Sequence, residues 1–166
     1  MQLAELFARH HQELYRYAAR FTGDPDLAED VVQDAFVRLA ERPPADDSQL
    51  RGWLFRVATT IALDAMRSAR RRLALVRERP DRQPMGDAPP DPAAALERAE
   101  TRRRVRAALA ALGPKERAVL LMREEGFMHR EIAAAVGTTT QSVGTMIARA
   151  LEKLARHLDL DEEAGR

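Results

Sequence analysis

Polar side chains between residues 26 and 41 recur with a spacing that has chemical content. At 3.6 residues per turn, Asp26, Asp30, Asp34 and Glu41 fall along one side of a helix, with Glu29 and Gln33 adjacent. Paired carboxylates are the raw material of general acid–base catalysis. Here they come without a nucleophile or a metal-ligand set. The chain has no cysteine, and His10, His11, His129 and His157 do not stand at a ligand spacing such as HExxH. A non-enzymatic protein with no metal and no cofactor is expected. The acidic face reads as a docking surface for a basic protein, or simply as a solvated face.

A second set has the opposite chemistry. Arg56, Thr60, Leu63, Arg67, Arg70 and Arg71 fall within about a third of a helix circumference, and Arg72 extends the cluster. Arginines at this spacing can follow a phosphate backbone, and the hydroxyls of Thr59 and Thr60 can reach sugar, phosphate or base. Trp53 and Phe55 are planar groups on which an unstacked base can lie, although the position of Trp53 in an apolar stripe favours core packing. The competing reading of the arginines is a solvated helix end that complements the helix dipole.

The third set is HREIAAAVGTTTQSVGTMIARALEKL, residues 129–154. A helix-turn-helix needs a small residue where its helices cross, a residue tolerant of positive φ at the turn, and an apolar plug in the second helix. Ala133, Gly137 and Val143 stand at those three places. Ile132, Val136 and Ile147 complete the apolar set. Thr138 with Gln141 forms a capping-box pattern, and Thr139 is an alternative cap. Val143, Ile147, Ala150, Leu151 and Leu154 share the inner face of the second helix, so Gln141, Thr145, Ala148, Arg149 and Glu152 point outward. Gln could pair with adenine and the Thr methyl could meet thymine. The alternative is a helical hairpin that only packs on its neighbours.

Helices are what must hold these sets in place. Ala, Leu, Arg and Glu dominate the composition, and aromatic residues make up 5% of the chain, too few for a large sheet. Apolar periodicity predicts a helix ending at Gly23, a second starting at the Asp24-Pro25 cap and stopping before Pro43-Pro44, and a third carrying Leu50, Trp53, Leu54, Val57, Ala58, Ile61 and Ala65 inward. Further helices are expected from about Ala94 to Leu112, around Ala118–Met122, and on either side of Gly137. Residues 80–92 hold five prolines and a glycine, so no regular element runs through them. An all-α chain of two small helical domains joined by a flexible linker follows. The boundaries are 1–78, a linker at 79–94, 95–158, and an acidic tail at 159–166 read as disordered and solubilising.

The net charge of +1 hides strong local differences. Residues 1–42 carry five arginines against eight carboxylates, residues 43–80 eight against four, and residues 96–122 seven basic groups against three. Basic faces beside acidic ones suit nucleic acid together with a protein partner. Signal-peptide features are not seen, and the longest uncharged run, Ile132 to Ala148, is too polar to span a bilayer. A cytoplasmic protein without membrane insertion is expected.

DLAEDVVQDAFVRL (26–39) followed by WLFRVATTIALDAMRSARRR (53–72) resembles region 2 of extracytoplasmic-function (ECF) sigma factors of the sigma-70 family. LGPKERAVLLMREEGFMHREIAAAVGTTTQSVGTMIARALEKL (112–154) resembles their region 4. The resemblance implies a region 2 three-helix bundle and a region 4 helix-turn-helix acting in promoter recognition, promoter melting and transcription initiation. It implies that Glu29, Asp30, Gln33 and Asp34 dock on the β′ clamp helices of core RNA polymerase. Trp53, Arg56, Thr59, Thr60, Arg67, Arg70 and Arg71 would engage the minus-ten element, with a flipped base held in the loop at 43–50. Arg130, Thr139, Thr140, Gln141, Gly144, Thr145, Ala148 and Arg149 would meet the minus-thirty-five element, and the second domain would also touch the β flap. An anti-sigma factor is the implied regulator. The alternative is a helix-turn-helix regulator that binds an operator without the polymerase.

The chain departs from the family pattern where Ala40 replaces a frequent tryptophan, Thr60 a frequent asparagine, and Val143-Gly144-Thr145-Met146 a common Val-Lys-Ser-Arg. Two phosphate-binding charges are thereby lost, and weak or altered reading of the upstream element is expected.

Overall fold

The structure is a computed structural model that describes residues 3–73 and 92–164. Seven α-helices follow in order: α1 (Leu3–Thr22), α2 (Pro25–Glu41), α3 (Leu50–Leu73), α4 (Pro92–Ala111), α5 (Pro114–Glu124), α6 (His129–Val136) and α7 (Thr140–Ala164). A short 3-10 turn, Asp47–Gln49, precedes α3. The linker expected at 79–94 lies outside the described residues except for its last three positions, which are the first turn of α4. The tail at 159–164 is not disordered: α7 runs on through it.

Local chemistry sets the helix ends. α1 stops where Gly23 takes φ +71°, a conformation that costs other residues steric strain. Asp24 then accepts hydrogen bonds from the amides of Asp26 and Leu27, satisfying two donors that the helix start leaves open. Glu116 and Glu131 do the reverse at the starts of α5 and α6, their carboxylates accepting from the amides of Gly113 and Met128.

α1, α2 and α3 form one bundle and α4–α7 the other. The two bundles are docked: α3 lies against α5 and α6, and α1 against α5. One continuous core runs through both, from Leu14, Tyr17, Phe21, Val31, Val32, Leu54 and Phe55 to Val119, Met122, Ile132 and Val143. Full burial of a side chain of this size stabilises by about 1.5–3 kcal/mol. The junction is therefore a packed interior and not a loose contact.

α3 consequently buries more than the one stripe its sequence suggests. Phe55, Thr59, Ala62 and Leu63 are buried as well as Leu54 and Ala58, because α5 and α6 cover a flank that the three-helix bundle alone leaves open.

Candidate nucleic-acid interface

The acidic face comes from α2. Its inward side chains are Ala28, Val31, Val32, Ala35, Phe36 and Leu39. That register leaves Asp30, Gln33 and Asp34 exposed, one helical turn separating the two aspartates. Glu29 is half-buried, 3.6 Å from His11 Nε2, and accepts from Gln33 Nε2. Apolar surface lies alongside: Val37 is 56% exposed and Phe7 40%, the Phe7 ring resting on Phe36. Carboxylates beside exposed apolar groups have the composition of a docking surface more than of a plain solvated face.

On α3, Arg56, Thr60, Arg67, Arg70 and Arg71 are exposed. The Thr60 hydroxyl donates to the Arg56 carbonyl, and Arg67 reaches Asp64 at 3.3 Å. Leu63 is buried and leaves the set. Thr59 also leaves it: the side chain has no exposure, its hydroxyl lies 2.6 Å from that of Tyr17, and it donates to the Phe55 carbonyl. A hydroxyl sealed in this way cannot meet DNA. Phe55 is no stacking platform either, since its ring is buried between Tyr17 and Phe127. Trp53 is half-buried against the core and faces a groove with Ser48, Gln49, Gly52 and Arg56. Asp46 shapes the adjoining loop by accepting from the Ser48 amide and hydroxyl, and these bonds hold its carboxyl below the usual range.

The helix-turn-helix is built as its sequence requires. Gly137 sits at φ +65° and ψ +57°, between α6 and α7. Ala133 and Val143 are buried at the crossing. The cap of α7 is Thr139, whose hydroxyl oxygen accepts from the Ser142 amide, so the alternative cap is used in place of the Thr138–Gln141 box. Arg130, Thr139, Thr140, Gln141, Thr145, Ala148 and Arg149 are exposed, as is Glu152. Gly144 is half-buried beside His129. Leu151, expected inside, is 52% exposed. Lys153 donates to Glu116 and fixes α7 against α5; together with the Gly113 amide it holds the Glu116 carboxyl below its usual range.

The docking of the bundles brings together residues that the sequence reading assigned to separate DNA elements. Arg130, Glu131 and Ala134 of α6 line the same groove as Trp53 and Arg56. The sequence reading missed the side chains that hold this arrangement. Arg51 of α3 reaches Glu13 and Glu125, Arg20 of α1 reaches Glu124 and Glu125, and Arg117 of α5 donates to the Phe21 carbonyl. Burial pushes the Arg117 pKa down, yet an arginine remains charged there.

Residues 6–72 match the family described as Sigma-70 region 2, and residues 102–154 match Sigma-70, region 4. ECF RNA polymerase sigma factor SigL of Mycobacterium tuberculosis (strain ATCC 25618 / H37Rv) is 33% identical over 153 residues, which cover 90% of this chain and 84% of that protein. The chain belongs to the ECF sigma factors. SigG of the same organism is 34% identical over 168 residues, covering 87% of this chain but 45% of SigG. The chain thus spans about half the length of the first relatives it matches. Among solved structures, CnrH in complex with the cytosolic domain of CnrY is 28% identical, with a TM-score of 0.65, covering 96% of this chain and 88% of that one. RpoE of Bartonella quintana, in complex with the anti-sigma factor NepR, superposes with a TM-score of 0.70 at 22% identity, covering 95% of this chain and 97% of that one. In this sigma factor the region 2 match ends on α3, and the region 4 match runs from the second half of α4 through the middle of α7.

Proposed function

We propose that the chain directs promoter recognition and transcription initiation as a subunit of RNA polymerase. The observation that carries this reading is the pairing, in one ECF sigma chain, of an exposed Asp30–Asp34 face on α2 with a helix-turn-helix whose outward residues are open. Glu29, Asp30, Gln33 and Asp34 meet the β′ clamp helices, and the second bundle meets the β flap. Arg56, Thr60, Arg67, Arg70 and Arg71, with Trp53 and the loop at 43–50, engage the minus-ten element and its flipped base. Flipping costs a few kcal/mol, which the loop pocket and the backbone contacts offset.

Arg130, Thr139, Thr140, Gln141, Thr145, Ala148 and Arg149 face the minus-thirty-five element. With glycine at 144 and Thr145-Met146 beyond it, few cations face phosphate, and upstream reading is weak. The residues at 79–94 act as the tether, so that each bundle binds weakly and linkage raises the effective concentration of the second. An anti-sigma protein restrains the chain, a reading supported by the likeness to RpoE in its complex with the anti-sigma factor NepR. These events take place in the cytoplasm; among the described residues no helix is long and apolar enough to cross a membrane.

Reconstitution tests the proposal. The purified chain should co-elute with core RNA polymerase and support promoter-specific transcription. Absence of both, with dimerisation and binding to a palindromic operator, would favour the polymerase-independent regulator.

A further inference from the structure

A cleft of about 400 Å³ opens between the last turn of α1, the start of α2 and the second half of α4. α4 packs on α7 and stands off from α1, and the space left between them is the cleft. Its volume falls within the range of about 300–1,000 Å³ that small-ligand sites occupy. None of its lining residues belongs to the acidic α2 face or to the outward set of the helix-turn-helix.

The cleft surface is almost wholly apolar. Ala19 and Pro25 are half-buried on one side and Leu109 on the other, and Val105 is 40% exposed. The 3.6-residue period puts Arg102, Val105, Arg106 and Leu109 on one face of α4, so two exposed arginines border the apolar floor. Neither pairs with a carboxylate among the described residues; Arg106 Nε donates to the Arg102 carbonyl at 3.4 Å. Arg20 completes the rim. Its Nη groups are held by Glu124 and Glu125, while its Nε–H is buried without an acceptor.

Cations around an apolar cleft narrow the chemistry of what it can hold. A neutral apolar molecule leaves the guanidinium groups unused. Inorganic phosphate or a nucleic-acid backbone leaves the apolar floor in water. A molecule with an aliphatic tail and one anionic head satisfies both. The tail removes Val105 and Leu109 from water, and the head accepts charge-assisted hydrogen bonds from Arg102 and Arg106. We propose that this cleft binds a single-chain amphipathic anion of the medium-chain carboxylate class. The site stands apart from the DNA and polymerase faces, and it holds whether or not the chain acts on a promoter.

The test is calorimetric titration of the full chain with sodium decanoate below its micelle-forming concentration. Decanoate should bind saturably, one per chain. Acetate has the head without the tail, and decyltrimethylammonium the tail with the opposite charge; both should bind at least about tenfold more weakly. Two variants locate the site. Arg102→Gln with Arg106→Gln removes the charges that meet the head, and Val105→Asp sets a carboxylate on the floor. All three positions are exposed, so circular dichroism should show unchanged helix content. Each variant should bind decanoate about tenfold more weakly than the parent chain. Absence of saturable decanoate binding to the parent would overturn the site. Decyltrimethylammonium binding as tightly as decanoate would overturn the choice of an anion. Undiminished decanoate binding by either folded variant would overturn the assignment to this cleft.

Discussion

Arg117 on α5 donates a hydrogen bond of 2.8 Å from Nη1 to the carbonyl oxygen of Phe21, at the far end of α1. The carbonyl is among the last four of its helix, which have no partner within the helix and carry the negative end of the dipole. A second nitrogen of the same guanidinium serves the Ala110 and Leu112 carbonyls where α4 ends. One cation therefore satisfies two helix ends from different bundles while only 7% exposed. Replacing it by alanine strands those acceptors in the interior. Arg117→Ala should lose about 2–4 kcal/mol, read as a lower urea midpoint in equilibrium unfolding. A loss under about 0.5 kcal/mol would mean that water or relaxed backbone replaces the side chain.

The buried Tyr17–Thr59 pair should respond asymmetrically. In Tyr17→Phe the Thr59 hydroxyl still donates to the Phe55 carbonyl, so nothing is orphaned and the loss should be about 1 kcal/mol. In Thr59→Val the Tyr17 hydroxyl is left without its partner, and the loss should be larger, about 1–3 kcal/mol. Equal losses in chemical denaturation would contradict the assignment.

The same pair sets a limit at high pH. Burial raises the Tyr17 pKa well above the ordinary value of 10.0. Above that value the unfolded chain binds fewer protons than the folded one, so stability is full below pH 10 and falls as the pH rises beyond it. Absorbance at 295 nm should show Tyr17 ionising only together with unfolding. On the acid side the sign reverses. The depressed Glu116 carboxyl contributes stability that is present above its ordinary pKa and lost as the pH falls through its lowered one.

Gly144 offers a stabilising change. A Cβ built there meets only His129 Cε1, at 3.8 Å, which is ordinary contact. Gly144→Ala should raise stability by about 0.5–1 kcal/mol with an unchanged denaturant slope. A destabilised variant would show that the local backbone needs glycine.

How much of this was legible in the sequence depends on the element. α1, α2 and the α6–α7 pair are amphipathic around a single core, and their ends carry local signals in Asp24, Gly23 and Gly137, so periodicity located them. α3 was legible on one side only. Its second buried flank, with Phe55, Thr59 and Ala62, exists because another bundle lies on it, and stripe logic assumes one core. That error placed Thr59 among the DNA contacts. Arg51 and Glu125 are 74 residues apart, and no local pattern links them. Asp159–Ala164 was read from its charge as a disordered tail, yet Leu, Glu and Ala favour helix and prolong α7. The Asp30–Asp34 face followed directly from the 3.6 period, because nothing among the described residues covers it.

That face carries the central claim. The decisive measurement is the affinity of core RNA polymerase for the Asp30→Arg, Asp34→Arg double variant, with folding verified by circular dichroism. The account predicts a loss of tenfold or more, about 1.4 kcal/mol at the least, relative to the parent chain. Undiminished binding by the folded variant would contradict it.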